Sequence, residues 1–219
     1  MIRFAESTKM KKYLFDDKRG LTWLTLKRLK TRTSRLAKGI EDNFVRPVGL
    51  IKEGHFKGYM KYIYGDDAHG VMKPPYMIGE VVAIAESYKR LGYDPMFCPP
   101  GHEDGLGSEE GWSNKMFVKA DLMKHFVEIT DVRFERLQDI SDEDIMREGI
   151  VHAPVKAQDV KTGEIGDFAY FVITKKEVKH IVHTKARDAF AGLIDAICGK
   201  GTWESNPWVW VFDYKLVEG

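Results

Sequence analysis

The chain has 219 residues, of which 43% are hydrophobic and 12% aromatic, so it can bury a core and is not a disordered protein overall. No run approaches the roughly 18 apolar residues that a membrane helix needs, and the first residues lack a signal-peptide stretch. The two cysteines, Cys98 and Cys198, lie far apart without a CxxC partner, which argues against a disulfide framework. We therefore expect a soluble protein of the reducing cytoplasm, with no membrane contact.

The positive charge of the chain is concentrated in one segment. Residues 18–40 contain eight Lys or Arg and no acidic residue, whereas the formal net charge of the whole chain is only +1. The rest of the chain therefore carries a net charge of about −7. This asymmetry predicts a surface for phosphate groups or nucleic acid. The alternative is a solvated basic face that binds nothing.

The first half of the chain contains signals for one helix and several strands. Apolar spacing predicts a short helix at about 20–30, and the basic residues at its end suit the helix dipole. Residues 47–64 have the pattern of a β-hairpin, and residues 80–86 that of a buried strand. A Gly/Pro/acid loop is predicted at 94–111.

The second half begins with a long predicted strand. Its apolar alternation slips by one position near Thr130-Asp131, which predicts a β-bulge. A short helix is then predicted from Ser141, with a capping-box-like start, to Gly149. After it, an excursion at 151–185 contains a predicted strand around 168–173.

The last part of the chain has the clearest pattern. An apolar stripe predicts a helix over about 190–197, which Gly199 ends. The segment WVWVFDYKLV predicts a strand, with Trp208 and Trp210 in the core. Because strands outnumber helices, we predict an α+β fold in which a compact mixed β-barrel is flanked by helices.

Three separate segments together resemble the ASCH family of PUA-like domains, especially members found in bacterial phages and prophages. They are LKTRTSR at Leu29–Arg35, ITDVRFERLQDISDEDIMREGI at Ile129–Ile150 and ARDAFAGLIDAICGKGTWESNPWVWVFDY at Ala186–Tyr214. A fourth segment, GEVVAIAES, is similar to the strand that precedes the family's Arg-Glu pair. Ala85 replaces that Arg, and Glu86 matches the Glu.

The resemblance implies a fold and a domain organisation. It implies a PUA-like (ASCH) mixed β-barrel with flanking helices, formed by a single domain over residues 1–219. The segments outside the resemblance are expected to be three insertions, near 40–73, 91–111 and 151–185.

The ASCH signature G-x-K-x-x-E-x-R falls on the basic segment. Lys30 and Arg35 match it, while Arg28 replaces the Gly and Thr33 replaces the Glu. A Lys-x-x-Thr pattern is similar to a small ASCH branch that hydrolyses N4-acylated cytidines with a Lys, a Thr and a later Glu. Glu148 falls at the position of that later Glu. The resemblance thus implies a catalytic group of Lys30, Thr33 and Glu148.

Amide hydrolysis by such a group has a physical basis. A Thr hydroxyl is a poor nucleophile until a neighbouring base takes its proton. Lys30 can act as that base only when burial or nearby cations lower its pKa, which Arg28, Arg32 and Arg35 would do. Glu148 would oppose this effect or hold the amine in position. Hydrolysis of acylated cytidine is therefore one hypothesis, and a group with no catalytic role is its alternative.

Binding of RNA or a modified nucleoside in a basic cleft is the function that we predict first. PUA-like folds hold RNA or a single base in a cleft, where basic residues contact phosphates and aromatic rings stack on bases. The predicted ligand-binding residues are Arg28, Arg32, Arg35, Glu86, Tyr88 and Trp112. A third hypothesis is a phage accessory protein whose surface binds another protein.

Neither a metal nor a cofactor is predicted. Cys98 and His102 are four positions apart, but they lie in a Gly/Pro loop without a second ligand pair. Gly101, Gly105 and Gly107 form neither a phosphate-binding Walker loop nor a dinucleotide fingerprint. The oligomeric state stays open at this point.

Overall fold

The computed structural model describes residues 10–40, 46–96, 110–171 and 182–217. The strands in these ranges are β1 (Lys12–Tyr13), β2 (Arg32–Leu36), β3 (Arg46–Leu50), β4 (Met60–Tyr64), β5 (Ala68–Met72), β6 (Val81–Ile84), β7 (Phe126–Arg136), β8 (Val151–Ala153), β9 (Ala157–Gln158), β10 (Ile165–Gly166), β11 (Ala169–Phe171) and β12 (Trp208–Val217). The helices are α1 (Leu21–Leu26), α2 (Tyr88–Leu91), α3 (Asp142–Arg147), α4 (Ala186–Cys198) and α5 (Thr202–Ser205). The protein is thus a mixed α+β protein with several sheets and few helices.

The described residues form two compact units. The first contains residues 10–15, 81–96, 110–128 and 216–217, and the second contains the remaining described residues. Within the described residues the chain passes between the units four times: after β1, at the start of β6, within β7 and near the end of β12. The prediction of a single domain with three insertions stays a prediction.

The first unit is built on three strands. β1 pairs in parallel with β6, and β6 pairs antiparallel with the first residues of β7, where Val82 lies opposite Val127. Helix α2 begins after Ser87, whose hydroxyl accepts a hydrogen bond from the Arg90 backbone N–H. Five buried residues of this unit form an apolar cluster: Ala83, Tyr88, Leu91, Val118 and Met123.

The second unit has an antiparallel sheet with a different core on each face. β12 lies next to β7 and pairs antiparallel with β2, with Phe212 opposite Thr33. On one face, Val209 and Val211 pack with the apolar sides of α3 and α4. On the other face, the ring of Phe134 stacks on Trp208 at 4.9 Å between centroids and 10° between planes. Alternate residues of β12 therefore pack into two different apolar layers, one on each face of the sheet.

Smaller sheets complete the second unit. β3, β4 and β5 form an antiparallel sheet, in which the register between β3 and β4 shifts between Pro47 and Gly49. β8 pairs with β11, and β9 pairs with β10.

The predicted closed β-barrel is wrong for the described residues, whose strands form open sheets. In the described part of the chain, β2 pairs only with β12, so one of its edges has no strand neighbour. Helix α3 packs against β2, and the chain after β2 leads to the separate sheet of β3, β4 and β5. The local patterns predicted β3 and β4 correctly. Barrel closure depends on which strand edges pair, and the patterns carry no information on that.

Several sequence predictions are confirmed. The hairpin at 47–64 corresponds to β3 and β4, and the helix from Ser141 corresponds to α3. The buried positions of β7 change phase between Ile129 and Val132, as the slipped alternation predicted. Helix α4 and strand β12 lie where predicted, with Trp208 and Trp210 buried.

Other predictions differ from the structure or lie outside it. The predicted helix at 20–30 ends earlier, at Leu26. The strands that the sequence did not predict are β1, β2, β5, β8, β9 and β10. Most of the predicted loop at 94–111 lies outside the described residues, as do the last two positions of the strand predicted at 168–173. No helix among the described residues is long and apolar enough to cross a membrane.

Candidate functional site

The end of α1 turns Lys30 back towards the protein interior. Arg28 adopts a left-handed φ of 60°, and the backbone N–H groups of Leu29 and Lys30 both donate to the carbonyl of Leu24. This is the hydrogen-bond pattern of a helix that ends with a left-handed residue. It stops the helix before its predicted end, so Arg28 is exposed while Lys30 is buried.

Helix α3 presents Glu148 at its C-terminal end. The Ser141 hydroxyl accepts a hydrogen bond from the Asp144 backbone N–H, which fixes the first turn of the helix. Glu148 is the C-cap residue, and Gly149 follows with φ of 102°, a conformation that favours glycine. Both ends of this six-residue helix are thus specified by the sequence.

Lys30 and Glu148 meet in a buried ion pair. The Lys30 Nζ lies 2.7 Å from Glu148 Oε2 and donates a second hydrogen bond of 2.6 Å to the Glu148 backbone carbonyl. The Ser34 hydroxyl donates to the other carboxylate oxygen, Oε1, at 2.6 Å. Glu148 therefore bridges an amine and a hydroxyl, one on each oxygen. We call Lys30, Ser34 and Glu148 the polar triad.

The surroundings of Lys30 lower the pKa of its amine. Burial is the main cause, because it disfavours the charged form, and the positive charges of Arg35 and Arg32 act in the same direction. The Glu148 carboxylate opposes them through its charge and its hydrogen bond, but the net direction is downwards. The sequence predicted the directions in which Arg32, Arg35 and Glu148 act on this pKa.

Arg32 is engaged within the protein. It is 1% exposed, and its guanidinium makes two hydrogen bonds to Asp213, of 2.6 Å from Nε and 3.0 Å from Nη2. It also forms an ion pair with Asp144, and Arg147 contacts both of these aspartates. Two carboxylates thus oppose the charge of Arg32, so the geometry does not favour Arg32 as a phosphate contact.

Strand alternation separates the side chains of the basic segment. Successive residues of β2 point to opposite faces of the sheet, so Ser34 shares a face with Arg32, and Thr33 shares the other face with Arg35. Thr33 is buried and lies opposite Phe212, whose ring contacts Tyr76. Ser34, the neighbour of the predicted Thr33, is therefore the residue whose hydroxyl contacts Glu148.

The remaining predicted ligand-binding residues belong to the first unit. The Glu86 carboxylate lies 3.0 Å from Arg90 Nε and 2.7 Å from His125 Nδ1. Tyr88 is buried in the apolar cluster, with its ring edge-on to Tyr93, and Trp112 packs half-buried against the same cluster. The Tyr88 ring therefore packs inside the unit and has no open face on which a base could stack.

An apolar groove of about 1010 Å³ lies elsewhere in the second unit. Its lining comes mainly from residues 47–52, 57–58, 77–78 and 132–135, with three cations, Lys52, Lys57 and Arg133, among them. None of the polar triad lines this groove. The candidate site is therefore identified by its hydrogen-bond geometry, with the half-buried Ser34 as its most exposed member.

Cys98 and His102, for which the sequence predicts no metal site, lie outside the described residues, as do Gly101, Gly105 and Gly107. Within the described ranges, no group of three or more His, Cys, Asp or Glu residues is placed to hold a metal ion.

Sequence reasoning missed Ser34, Asp144 and Asp213. A signal for Ser34 existed, because an extended segment from Lys30 onwards places residues 30, 32 and 34 on one side. No local signal linked Arg32 to Asp213, which lies 181 positions away along the chain.

Comparison of the chain with models of protein families, with curated proteins and with solved structures finds no match in any of the three.

Proposed function

We propose that this protein is an ASCH-like domain that binds RNA or a modified nucleoside next to the polar triad. The support comes from the way the three segments of the resemblance meet in the second unit. Lys30 of the first segment reaches Glu148 of the second, and Arg32 of the first reaches Asp213 of the third. Polar contacts of the first segment thus link it to both of the other segments.

The Lys30–Glu148 contact is the observation that carries this proposal. A buried carboxylate that bridges a buried amine and a half-buried hydroxyl provides a set of donors and acceptors like those that pair with the polar edge of a nucleobase. Arg35 follows Ser34 on β2, where it is half-buried with its side chain on the opposite face, and Arg28 is exposed two positions before Lys30. These two cations are the phosphate contacts of the proposal.

Binding is tested by titrating the full chain with single-stranded RNA and with cytidine and N4-acetylcytidine. The double variant Arg28→Ala/Arg35→Ala should weaken RNA binding and reduce its salt dependence, because each lost cation removes about one phosphate contact. Lys89→Ala, which removes an exposed cation of the first unit, is the matched control and should bind like the unmodified chain. Equal affinity in both variants would count against a site in the basic segment.

Hydrolysis of an N4-acylated cytidine is the second candidate function. The lowered pKa of the Lys30 amine and the carboxylate that contacts both an amine and a hydroxyl favour it. Catalysis of acyl transfer needs a nucleophile, a base within hydrogen-bond reach and a group that orients the base. Release of cytidine from N4-acetylcytidine, followed by chromatography, tests this function. Lys30→Ala and Glu148→Gln should each abolish the release.

A further inference from the structure

Two adjacent hydroxyl residues, Thr33 and Ser34, lie on β2, and the structure distinguishes between them. The Ser34 Oγ is 2.6 Å from Glu148 Oε1, and the Lys30 Nζ holds the other carboxylate oxygen at 2.7 Å. Alternation directs Thr33 to the opposite face of the strand. A reaction centred on Glu148 would therefore use the Ser34 hydroxyl.

We propose that Ser34 is the nucleophile that takes up the acyl group, with Glu148 as its base and Lys30 as the residue that orients Glu148. This inference rests on the hydrolase candidate given above. The arrangement follows the general pattern of an activated nucleophile: a hydroxyl donates to a base, and a third group fixes the base.

The exposure of the three residues agrees with these roles. Ser34 is half-buried and is the most exposed of the three, whereas Lys30 and Glu148 are at most 4% exposed. Burial of the base and of the amine that orients it shields the hydrogen bond between Ser34 and Glu148 from bulk solvent. A surface hydroxyl beside a solvated carboxylate would lack this protection.

The reaction balances without any further reactant than water. The Ser34 oxygen attacks the acyl carbonyl carbon, its proton passes to the Glu148 carboxylate, and a tetrahedral intermediate forms. The bond from carbon to the cytidine N4 then breaks, and N4 leaves with the proton from Glu148. Water next attacks the acyl ester on Ser34, with Glu148 again as base, which releases a carboxylic acid and restores the hydroxyl. The net change is one amide and one water converted into cytidine and the acid.

The test compares the unmodified chain with Ser34→Ala, Ser34→Thr and Thr33→Val. Each protein is incubated with N4-acetylcytidine and, separately, with p-nitrophenyl acetate, and cytidine release and the acetylated residue are measured by chromatography and peptide mass spectrometry. We expect Ser34→Ala to lower cytidine release by about 100-fold or more. Its peptide that contains position 34 should carry no acetyl group. Ser34→Thr should restore part of both signals, and Thr33→Val should retain them.

The outcomes separate this inference from the function on which it rests. Acetylation of Thr33, or full activity of Ser34→Ala with loss in Thr33→Val, would keep the hydrolase and overturn the role of Ser34. Acetylation of Ser34 by the ester without cytidine release would keep Ser34 as the nucleophile and overturn N4-acetylcytidine as its substrate. If neither reagent reacts with the unmodified chain, the hydrolase candidate and the role of Ser34 as its nucleophile both fail. Circular dichroism of each variant controls for misfolding, and the partial recovery in Ser34→Thr guards against a purely structural loss.

Discussion

The side chains of Lys30 and Glu148, 118 positions apart in the chain, form an ion pair in which Nζ and Oε2 are 2.7 Å apart and neither side chain is more than 5% exposed. Removal of one partner from such a pair leaves an uncompensated charge in the interior. Substituting Lys30, Glu148 or both therefore measures how much the ion pair contributes to the free energy of unfolding.

Lys30→Met and Glu148→Leu should each lower the free energy of unfolding by about 3–5 kcal/mol, because each leaves one buried charge without its partner. The double variant should lose much less than the sum of the two, since it removes both charges at once. Urea denaturation followed by circular dichroism measures all three. Additive losses would mean that the two side chains do not interact.

Arg32 should be intolerant even of lysine. A lysine keeps the charge but cannot make the two parallel hydrogen bonds of the guanidinium to Asp213 and the ion pair to Asp144. We expect Arg32→Met to lose about 3 kcal/mol or more and Arg32→Lys to lose an intermediate amount. The control is Arg28→Lys at an exposed position, which should stay within about 0.5 kcal/mol. Comparable urea midpoints for Arg28→Lys and Arg32→Lys would contradict the structure.

Two features favour glycine at position 149: its positive backbone φ and the side chains packed close to its Cα. Its φ is 102°, and an added Cβ would lie 3.2 Å from Leu24 Cδ1 and 3.4 Å from Lys30 Cδ. Gly199 has a similar φ of 114°, but no heavy atom of the described residues lies within 4 Å of such a Cβ. Both alanine variants should carry backbone strain of about 1–3 kcal/mol.

Gly149→Ala should cost a further 1 kcal/mol or so, because the side chains around it must move. Thermal unfolding of the two variants side by side isolates this crowding from the strain that they share. A smaller loss in Gly149→Ala than in Gly199→Ala would show that its neighbours adapt without cost.

Asp159 should make stability depend on acidic pH. Burial of its carboxyl raises the pKa, but backbone N–H groups outweigh burial and lower the pKa to about 2; they belong to Thr162, Thr184 and Lys161. A lowered pKa in the folded state stabilises the protein above the ordinary value of 3.8. This contribution is lost as the pH falls towards about 2.

The Tm should therefore fall between pH 4 and pH 2, and Asp159→Asn should flatten this part of the profile. Asp67→Asn, at an exposed turn, serves as the control and should keep the profile of the unmodified chain. A fall of the same size in Asp159→Asn would assign the pH dependence to other carboxylates.

The sequence predicted the local elements well because their causes are local. The stripe of α4, the cap at Ser141 and the alternation of β12 each depend on residues within one or two turns or on neighbouring positions. Strand β2 was missed because its five residues, RTSRL, are mostly polar. It becomes a strand through its pairing with β12, which is a contact between distant parts of the chain.

The candidate site was predicted in part, for a similar reason. Lys30 and Glu148 were paired through the resemblance, and they are in contact. The expectation that Arg32 contacts a ligand came from its charge alone, and sequence cannot show that Asp144 and Asp213 oppose that charge. Ser34 was passed over because Thr33 fitted the motif, although the geometry of an extended strand separates the two.

The short span from Ser141 to Glu148 has a consequence for how the protein can vary. Each added residue in a helix rotates everything after it by about 100° and moves it about 1.5 Å along the axis. One insertion between the two caps would swing the Glu148 carboxylate away from Lys30, whatever amino acid was inserted. Exposed side chains such as Glu143 are free to differ, but the count of residues is not. Related proteins that keep this contact with the lysine should therefore keep the number of residues from the Ser141 position to the Glu148 position, even where the amino acids between them differ.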